Sequence, residues 1–234
     1  MEIEQKNQNN NNFEDKIDLF EIDYDYENKP IKRTSNKPSL KDKQSLLENL
    51  KSKILKLGDC ELKKNSKQIV FSDGDPQSPI MVIGEGPGQK EDETGKPFVG
   101  DAGLLLNKMF EAINIERPKL YITNVVNYRP PNNRKPDPSE INKYSVFLRE
   151  HINIIDPKIL ILMGGTAMEA LFGKDLKISK ERGKWKELII NQNTYQTILT
   201  FHPAYLLRQP DQKKYSWIDL KMIKKKIDDL KIIF

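Results

Sequence analysis

The chain has 234 residues, of which 37% are hydrophobic and 31% charged, and its formal net charge is +5. Its single cysteine, Cys60, excludes an internal disulfide and a metal cage built from several cysteines. No apolar run approaches the roughly 20 residues that span a bilayer, and the N-terminus does not resemble a signal peptide. We therefore expect a cytoplasmic protein that makes no contact with a membrane.

The N-terminal segment differs in composition from the rest of the chain. Residues 1–45 are rich in asparagine, then acidic, then proline-bearing, which predicts a disordered arm and linker before a domain at 46–234. Residues 1–28 carry a net charge of −7, so the remainder carries +12. A basic domain suits a phosphate-backbone ligand, although a lysine-rich solvated surface gives the same charge. Asp18–Ile22, which mixes acidic and apolar residues, is either part of a passive tail, a docking peptide for an unknown protein partner, or an acidic strip over the basic surface.

Hydrophobic spacing predicts helices and strands that alternate along the domain. The predicted helices are 44–56, 101–113, 138–155, 165–172 and 217–233. The predicted strands are 68–72, 80–83, 120–126, 159–163, 188–190 and 196–201. This alternation favours a mostly parallel sheet covered on both faces. Ligands of such folds bind beyond the carboxyl ends of the strands, so we expect functional residues directly after strands.

The second predicted strand is followed by a glycine-rich turn and a long loop. Gly84–Gly88 (GEGPG) is a tight turn whose backbone amides can approach a ligand closely. It lacks the lysine of a P-loop and the spacing of a dinucleotide fingerprint. The loop at 89–103 has carboxylates at one end and Phe98 toward the other. Phe98 is either a core residue or a lid over a pocket, and its glycine- and proline-rich surroundings favour the lid.

Two further segments follow later strands. Asn124 either reads one edge of a base through its amide, which has both a donor and an acceptor, or caps the strand end. His202 precedes a proline, which restricts the backbone of the histidine. Leu206, Leu207 and Arg208 place apolar residues beside a cation, the composition expected where a protein enters a base stack.

Together these segments resemble family 4 of the uracil-DNA glycosylase superfamily. The motifs GEGPGQKEDETGKPFVGDAG, YITNVVNYRPP and HPAYLLR occur in the expected order and separations, and the resemblance covers about residues 50 to 225. It implies a three-layer α/β/α sandwich with a central four-stranded parallel sheet. It also implies an enzyme of base excision repair that hydrolyses the N-glycosidic bond of uracil in DNA and leaves an abasic site. We expect the protein to be a monomer.

The resemblance also implies roles for individual residues. Phe98 is expected to stack on the flipped uracil, and Asn124 to hydrogen-bond its O4 and N3 edge. His202 is expected to donate to uracil O2, while Glu85 orients the attacking water or stabilises the sugar cation. The other pocket residues are expected to be Gly84, Gly86 and Glu91, the last where a thymine methyl group must be excluded. The expected DNA contacts are the exposed wedge residues Leu206 and Leu207, and the phosphate-binding residues Arg129, Arg134, Lys184 and Arg208.

The chain departs from the family at the iron–sulfur site. Most family members hold a four-iron four-sulfur cluster on four cysteines, whereas here Leu57, Tyr128 and Tyr144 stand at three of those positions and only Cys60 remains. One thiolate cannot hold such a cluster, so we predict no iron–sulfur cluster, no metal and no other cofactor. Leu57, Tyr128 and Tyr144 are expected to pack together as an apolar substitute.

Two other functions remain open from the sequence. The same scaffold serves a glycosylase for another deaminated base, such as hypoxanthine. A non-catalytic DNA-binding factor needs only the basic surface, and the joint presence of Glu85, Phe98, Asn124 and His202 favours an enzyme over such a factor. A covalent bond to the abasic sugar is not expected, because the segment 129–138 contains no histidine.

Overall fold

The computed structural model describes residues 39–58 and 60–234. Most of the predicted arm, including Asp18–Ile22, lies outside the described residues. The first helix, α1 (Leu40–Leu55), begins within the segment predicted as a linker. Ser39 Oγ accepts a hydrogen bond from the Asp42 amide at 3.2 Å, and the Asp42 carboxylate accepts one from the Ser39 amide at 3.0 Å. This capping box fixes the start of α1 at Leu40, before the predicted start of the domain at residue 46, and the division into an arm and a domain stays a prediction.

The other elements follow in chain order. The strands are β1 (Asp73–Gly74), β2 (Ile80–Gly84), β3 (Tyr121–Asn124), β4 (Ile159–Met163), β5 (Trp185–Ile190) and β6 (Asn193–Thr200). The helices after α1 are α2 (Glu61–Lys64), α3 (Gln89–Thr94), α4 (Asp101–Glu111), α5 (Pro138–Ile155), α6 (Gly164–Phe172), α7 (Ile178–Glu181), α8 (Pro203–Arg208) and α9 (Lys213–Asp229). None of the helices in this part of the chain is long and apolar enough to cross a membrane.

The strands form one sheet in the order β1-β3-β2-β4-β6-β5. The four central strands are parallel, which confirms the predicted four-stranded parallel centre. The short strand β1 and the strand β5 pair antiparallel at the two edges. Every residue of β2 and β4 is buried, because helices cover both faces, and this explains their unbroken apolar sequences IMVIG and ILILM.

The core is divided by the sheet into two clusters, as the predicted three-layer sandwich requires. One cluster contains Leu50 of α1, Ile152 of α5 and Ala167 of α6. The other contains Phe110 of α4 and Ile223 of α9. These helices rest on opposite faces of the sheet and leave the carboxyl ends of the parallel strands open.

The elements differ from the predicted ones mainly where they are short. The predicted strand at 68–72 is wrong, since this segment is irregular; its Val70 amide donates to the Asn127 carbonyl at 2.8 Å, beyond the end of β3. The helix α3 lies in the segment interpreted as a loop, and α8 lies where no element was predicted. Six residues make fewer than two turns, which is too few for a helical period to be recognised in a sequence.

Candidate active site

A cleft of about 820 Å³ opens at the carboxyl edge of the sheet. Its walls come from the turn after β2, the end of β3, the start of α6 after β4 and the start of α8 after β6. The sequence-predicted residues in its lining are Glu85, Gly86, Glu91, Phe98, Asn124, Arg134, His202 and Arg208. These residues span more than a hundred positions, and parallel strands bring them together because their carboxyl ends share one edge.

Phe98 and His202 are two of the aromatic residues in the wall of the cleft. Phe98 is 5% exposed, and its ring centroid lies 5.4 Å from that of His202, with an angle of 27° between the ring planes. The backbone of Phe98 has φ +52°, a left-handed conformation that is rare for a bulky residue. Phe98 is therefore held at the cleft by its surroundings rather than by its own backbone preference.

Asn124 lies at the floor of the cleft and is 3% exposed. Gly84, its register partner across β2 and β3, separates it from the Phe98 ring. A Cβ atom at Gly84 would lie 2.6 Å from Phe98 Cε2 and closer still to Asn124 Oδ1. Only a glycine therefore allows the amide and the ring to approach each other. Within the described residues the Asn124 amide has no hydrogen-bond partner, so both its donor and its acceptor are available to a ligand.

Glu85 is oriented by a residue that the sequence reasoning missed. The Thr166 hydroxyl donates to Glu85 Oε2 at 2.5 Å, and Thr166 itself is buried in the first turn of α6. Hydrogen bonds to a carboxylate are among the stronger ones in proteins and restrict its rotation. Thr166 lies shortly after the end of β4, so its position after a strand is a sequence signal that points to it.

His202 begins α8 and caps it with its own side chain. The Ala204 amide donates to His202 Nδ1 at 3.2 Å, so Nδ1 is an acceptor and the ring proton lies on Nε2. Burial, together with the positive charge of Arg208, lowers the pKa of His202 to about 4, although Glu91 acts in the opposite direction. The imidazole is consequently neutral at physiological pH, with one N–H that is not used by the cap.

Glu91 reaches the cleft wall, but its carboxylate is engaged with the backbone. It accepts hydrogen bonds from the amides of Gly88 at 3.1 Å, Val99 at 2.9 Å and Gly100 at 2.8 Å. Glu91 therefore closes the loop that carries Phe98 onto the start of α3. Its expected role in excluding a thymine methyl group stays a prediction.

The predicted DNA-contacting residues separate into two groups. Arg134 lies at the cleft and donates to Glu140 through two nitrogens, at 2.8 and 2.6 Å, and Arg208 is exposed at the cleft. Arg129 and Lys184 lie outside the lining; Arg129 donates to Asn133, and Lys184 lies 3.4 Å from Glu181.

The prediction that Leu206 is exposed is wrong. Leu206 is 1% exposed and belongs to the core cluster that includes α4 and α9, whereas Leu207 is 44% exposed. Successive residues of a helix point in different directions, so only one of the two can face the core. Of the two predicted wedge residues, Leu207 alone is accessible to DNA.

Comparison with known proteins identifies the family. The profile described as Uracil DNA glycosylase superfamily matches residues 71–225. The chain belongs to this superfamily. A type-4 uracil-DNA glycosylase of Thermotoga maritima is 40% identical over 167 residues, which cover 71% of this chain and 85% of the relative. The type-4 enzyme of Sulfurisphaera tokodaii is 38% identical, and the match covers 76% of this chain and 83% of the relative. The type-4 enzyme of Archaeoglobus fulgidus is 35% identical, and the match covers 76% of this chain and 91% of the relative. The predicted membership of family 4 is thus confirmed.

The four residues expected at the family's iron–sulfur position pack together in the core. Leu57, Cys60, Tyr128 and Tyr144 share one hydrophobic cluster, and Cys60 Sγ lies 3.3 Å from the Tyr144 hydroxyl. Burial raises the pKa of both tyrosines. Their hydroxyls are therefore neutral, and no group of three or more potential metal ligands exists in residues 39–58 and 60–234. These residues do not fit an iron–sulfur cluster, which needs several thiolates.

Proposed function

We propose that this chain excises uracil from DNA by hydrolysing the bond between base and deoxyribose, which leaves an abasic site. One observation carries the proposal: a single cleft combines the Phe98 ring, the unpartnered Asn124 amide, the neutral His202 and the Glu85 carboxylate. A binding module has no need of this combination. The names of the three relatives described above, each a type-4 uracil-DNA glycosylase, support the same reaction.

In this proposal the base is recognised outside the duplex. A base inside the stack is unreachable, so it must be flipped into the cleft at a cost of a few kcal/mol. Phe98 offers a face on which the flipped base stacks. The Asn124 amide donates to uracil O4 and accepts from N3–H. Cytosine presents the opposite donor and acceptor at these two positions, so it leaves both amide groups mismatched.

The small angle between the Phe98 and His202 rings bears on the chemistry. A base stacked on Phe98 lies nearly parallel to the imidazole, and in this proposal the N–H that the cap does not use points at the edge of the base. As the bond breaks, negative charge grows on uracil O2 and the Nε2–H of His202 donates to it. A preorganised donor of this kind contributes about 3 to 4 kcal/mol of transition-state stabilisation. The proton stays on Nε2, because Nδ1 is already an acceptor for the Ala204 amide.

Glu85 acts on the sugar side of the breaking bond. The deoxyribose becomes positive as uracil leaves, and a carboxylate beside it stabilises that charge or accepts a proton from the attacking water. The hydrogen bond from Thr166 holds the carboxylate in one orientation during both steps. The absence of an iron–sulfur cluster is proposed from the sequence, which has one cysteine, and none of these steps uses such a group.

Arg134, Leu207 and Arg208 form the proposed DNA contact surface. Arg208 and Leu207 follow His202 on the same short helix, so a duplex that places a base at His202 also meets them. Leu207 is the apolar wedge that fills the gap left by the flipped base, and the arginines contact phosphates. Arg129 and Lys184 remain proposed as peripheral phosphate contacts.

Single-turnover cleavage of a uracil-containing oligonucleotide, developed with alkali, tests the proposal. Asn124→Ala and His202→Ala are expected to be 100-fold slower or more, because each loses an interaction with the leaving base. Asn142→Ala, on the exposed side of α5, is the matched control and retains the wild-type rate. A wild type that binds the oligonucleotide tightly without cleaving it would support a binding module, and cleavage confined to hypoxanthine-containing DNA would support another deaminated base.

A further inference from the structure

The stacking residue Phe98 is held by an arginine that belongs to a distant part of the sequence. Arg117 begins a 3-10 turn before β3, and its guanidinium donates to the carbonyl oxygens of Phe98 at 2.8 Å and Pro97 at 2.7 Å. These carbonyls belong to the left-handed turn at Phe98 and lie in no helix or strand. Arg117 therefore replaces the backbone partners that regular structure would supply.

Every N–H of this guanidinium has a partner. Asn107 Oδ1 accepts from Nη1 at 3.1 Å, while Asp73 Oδ2 accepts from Nε at 2.9 Å and from Nη2 at 2.8 Å. Both Arg117 and Asp73 are largely removed from solvent, with 19% and 26% of their side chains exposed. The edge strand β1 pairs with β3 and so brings Asp73 to Arg117. A lysine has one nitrogen in place of this planar set of donors and cannot make the same bonds.

The opposite side of the Phe98 backbone is closed by α4. A Cβ atom at Gly103 would collide with the Phe98 carbonyl group, so the helix packs directly against the turn. The Phe98 turn is thus enclosed between Arg117, Gly103 and the amides of Val99 and Gly100, which donate to Glu91.

We propose that Arg117, anchored by Asp73, is a positioning residue that keeps the Phe98 ring at the height and angle needed to stack on the target base. This inference rests on the proposed role of Phe98 in uracil excision. Arg117 does not line the cleft. Its removal therefore changes base capture and excision, while the contacts with the DNA backbone remain.

The test compares Arg117→Gln with Phe98→Ala and with the double variant in single-turnover excision. Arg117→Gln is expected to be about 10- to 100-fold slower, since a displacement near 1 Å is enough for such a loss. In the double variant the loss equals that of Phe98→Ala alone, because Arg117 acts through the ring. Arg149→Gln is the matched control: Arg149 also donates to a backbone carbonyl, that of Leu171, on the other face of the sheet.

Two further measurements distinguish positioning from general destabilisation. Affinity for an oligonucleotide with a tetrahydrofuran abasic-site analogue, which has no base to stack, is expected to change less than twofold in Arg117→Gln. Amide hydrogen exchange at Val99 and Gly100 is expected to accelerate, while exchange in β4 is unchanged. Equal losses in excision and in tetrahydrofuran-DNA affinity, or additive losses in the double variant, would overturn the inference.

The outcomes also separate this inference from the proposed function. Wild-type excision with an unimpaired Arg117→Gln variant refutes the positioning role only. An unimpaired Phe98→Ala variant refutes the stacking role and the positioning role together. A wild type that excises no uracil refutes the proposed function, and the exchange measurement then still decides whether Arg117 holds the Phe98 turn.

Discussion

Replacing Gly84 by alanine is expected to abolish most activity while the fold remains. The new methyl group would lie 2.6 Å from Phe98 Cε2, and an ordinary contact begins at 3.4 Å, so the ring must move by about 1 Å. The backbone cannot move instead, because β2 is paired on both sides. A displacement of this size in a catalytic site costs on the order of 100-fold in rate, or about 2.7 kcal/mol. The overpacking itself lowers stability by about 1 to 3 kcal/mol.

The assay is single-turnover excision with thermal unfolding measured on the same preparations. Gly58→Ala is the matched control, because no atom lies within 4 Å of a Cβ atom built at Gly58. It is expected to keep the wild-type rate and melting temperature. A Gly84→Ala enzyme with the wild-type rate would refute the conclusion that Phe98 and Asn124 require this close approach.

Three other predictions concern orientation, pH and DNA contact. Thr166→Val is expected to slow excision about 10-fold with little change in melting temperature. The hydrogen bond from Thr166 that orients Glu85 contributes about 1.5 kcal/mol to transition-state stabilisation. An unchanged rate would contradict this role. Burial lowers the pKa of His151 to about 3 in the folded chain. Below about pH 6.5 the histidine is protonated in the unfolded chain but stays neutral in the folded chain, so the free energy of unfolding decreases as the pH falls. Urea unfolding at pH 7 and pH 4.5 should show about 2 to 3 kcal/mol of this loss in the wild type and correspondingly less in His151→Phe. Leu206→Ala is expected to lower the free energy of unfolding by about 2 to 5 kcal/mol, because Leu206 is buried. Leu207→Ala is expected to leave stability intact and to slow excision from duplex DNA more than from single-stranded DNA. The reverse pattern would exclude Leu207 as the wedge.

The sequence predicts the centre of this fold better than its periphery. The bounds of β4 and α5 are as predicted, because β4 is an apolar run buried on both faces and α5 begins at a capped proline. Glu85, Asn124 and His202 line one cleft because each lies at or just after the end of a parallel strand. In α8, Leu206 and Leu207 are adjacent, and a helix of six residues is too short for the spacing of its apolar residues to show which leucine faces the core.

Arg117 illustrates what no local pattern reveals. It binds Asp73, which is 44 positions away, and Phe98, which is 19 positions away, so its role depends on the pairing of β1 with β3. Residues that support a site through long-range contacts carry no sequence signal of their own.

The two edges of the sheet have a consequence for solubility at high concentration. An open edge strand offers unpaired backbone groups to which another chain can add, and this is a common route to aggregation. Here β1 exposes only two residues, and β5 carries Lys186 and Glu187, whose charges oppose the docking of a further strand. In the part of the chain that the structure describes, the sheet is thus protected against growth at both ends, and its antiparallel edge strands act as terminators of a parallel core.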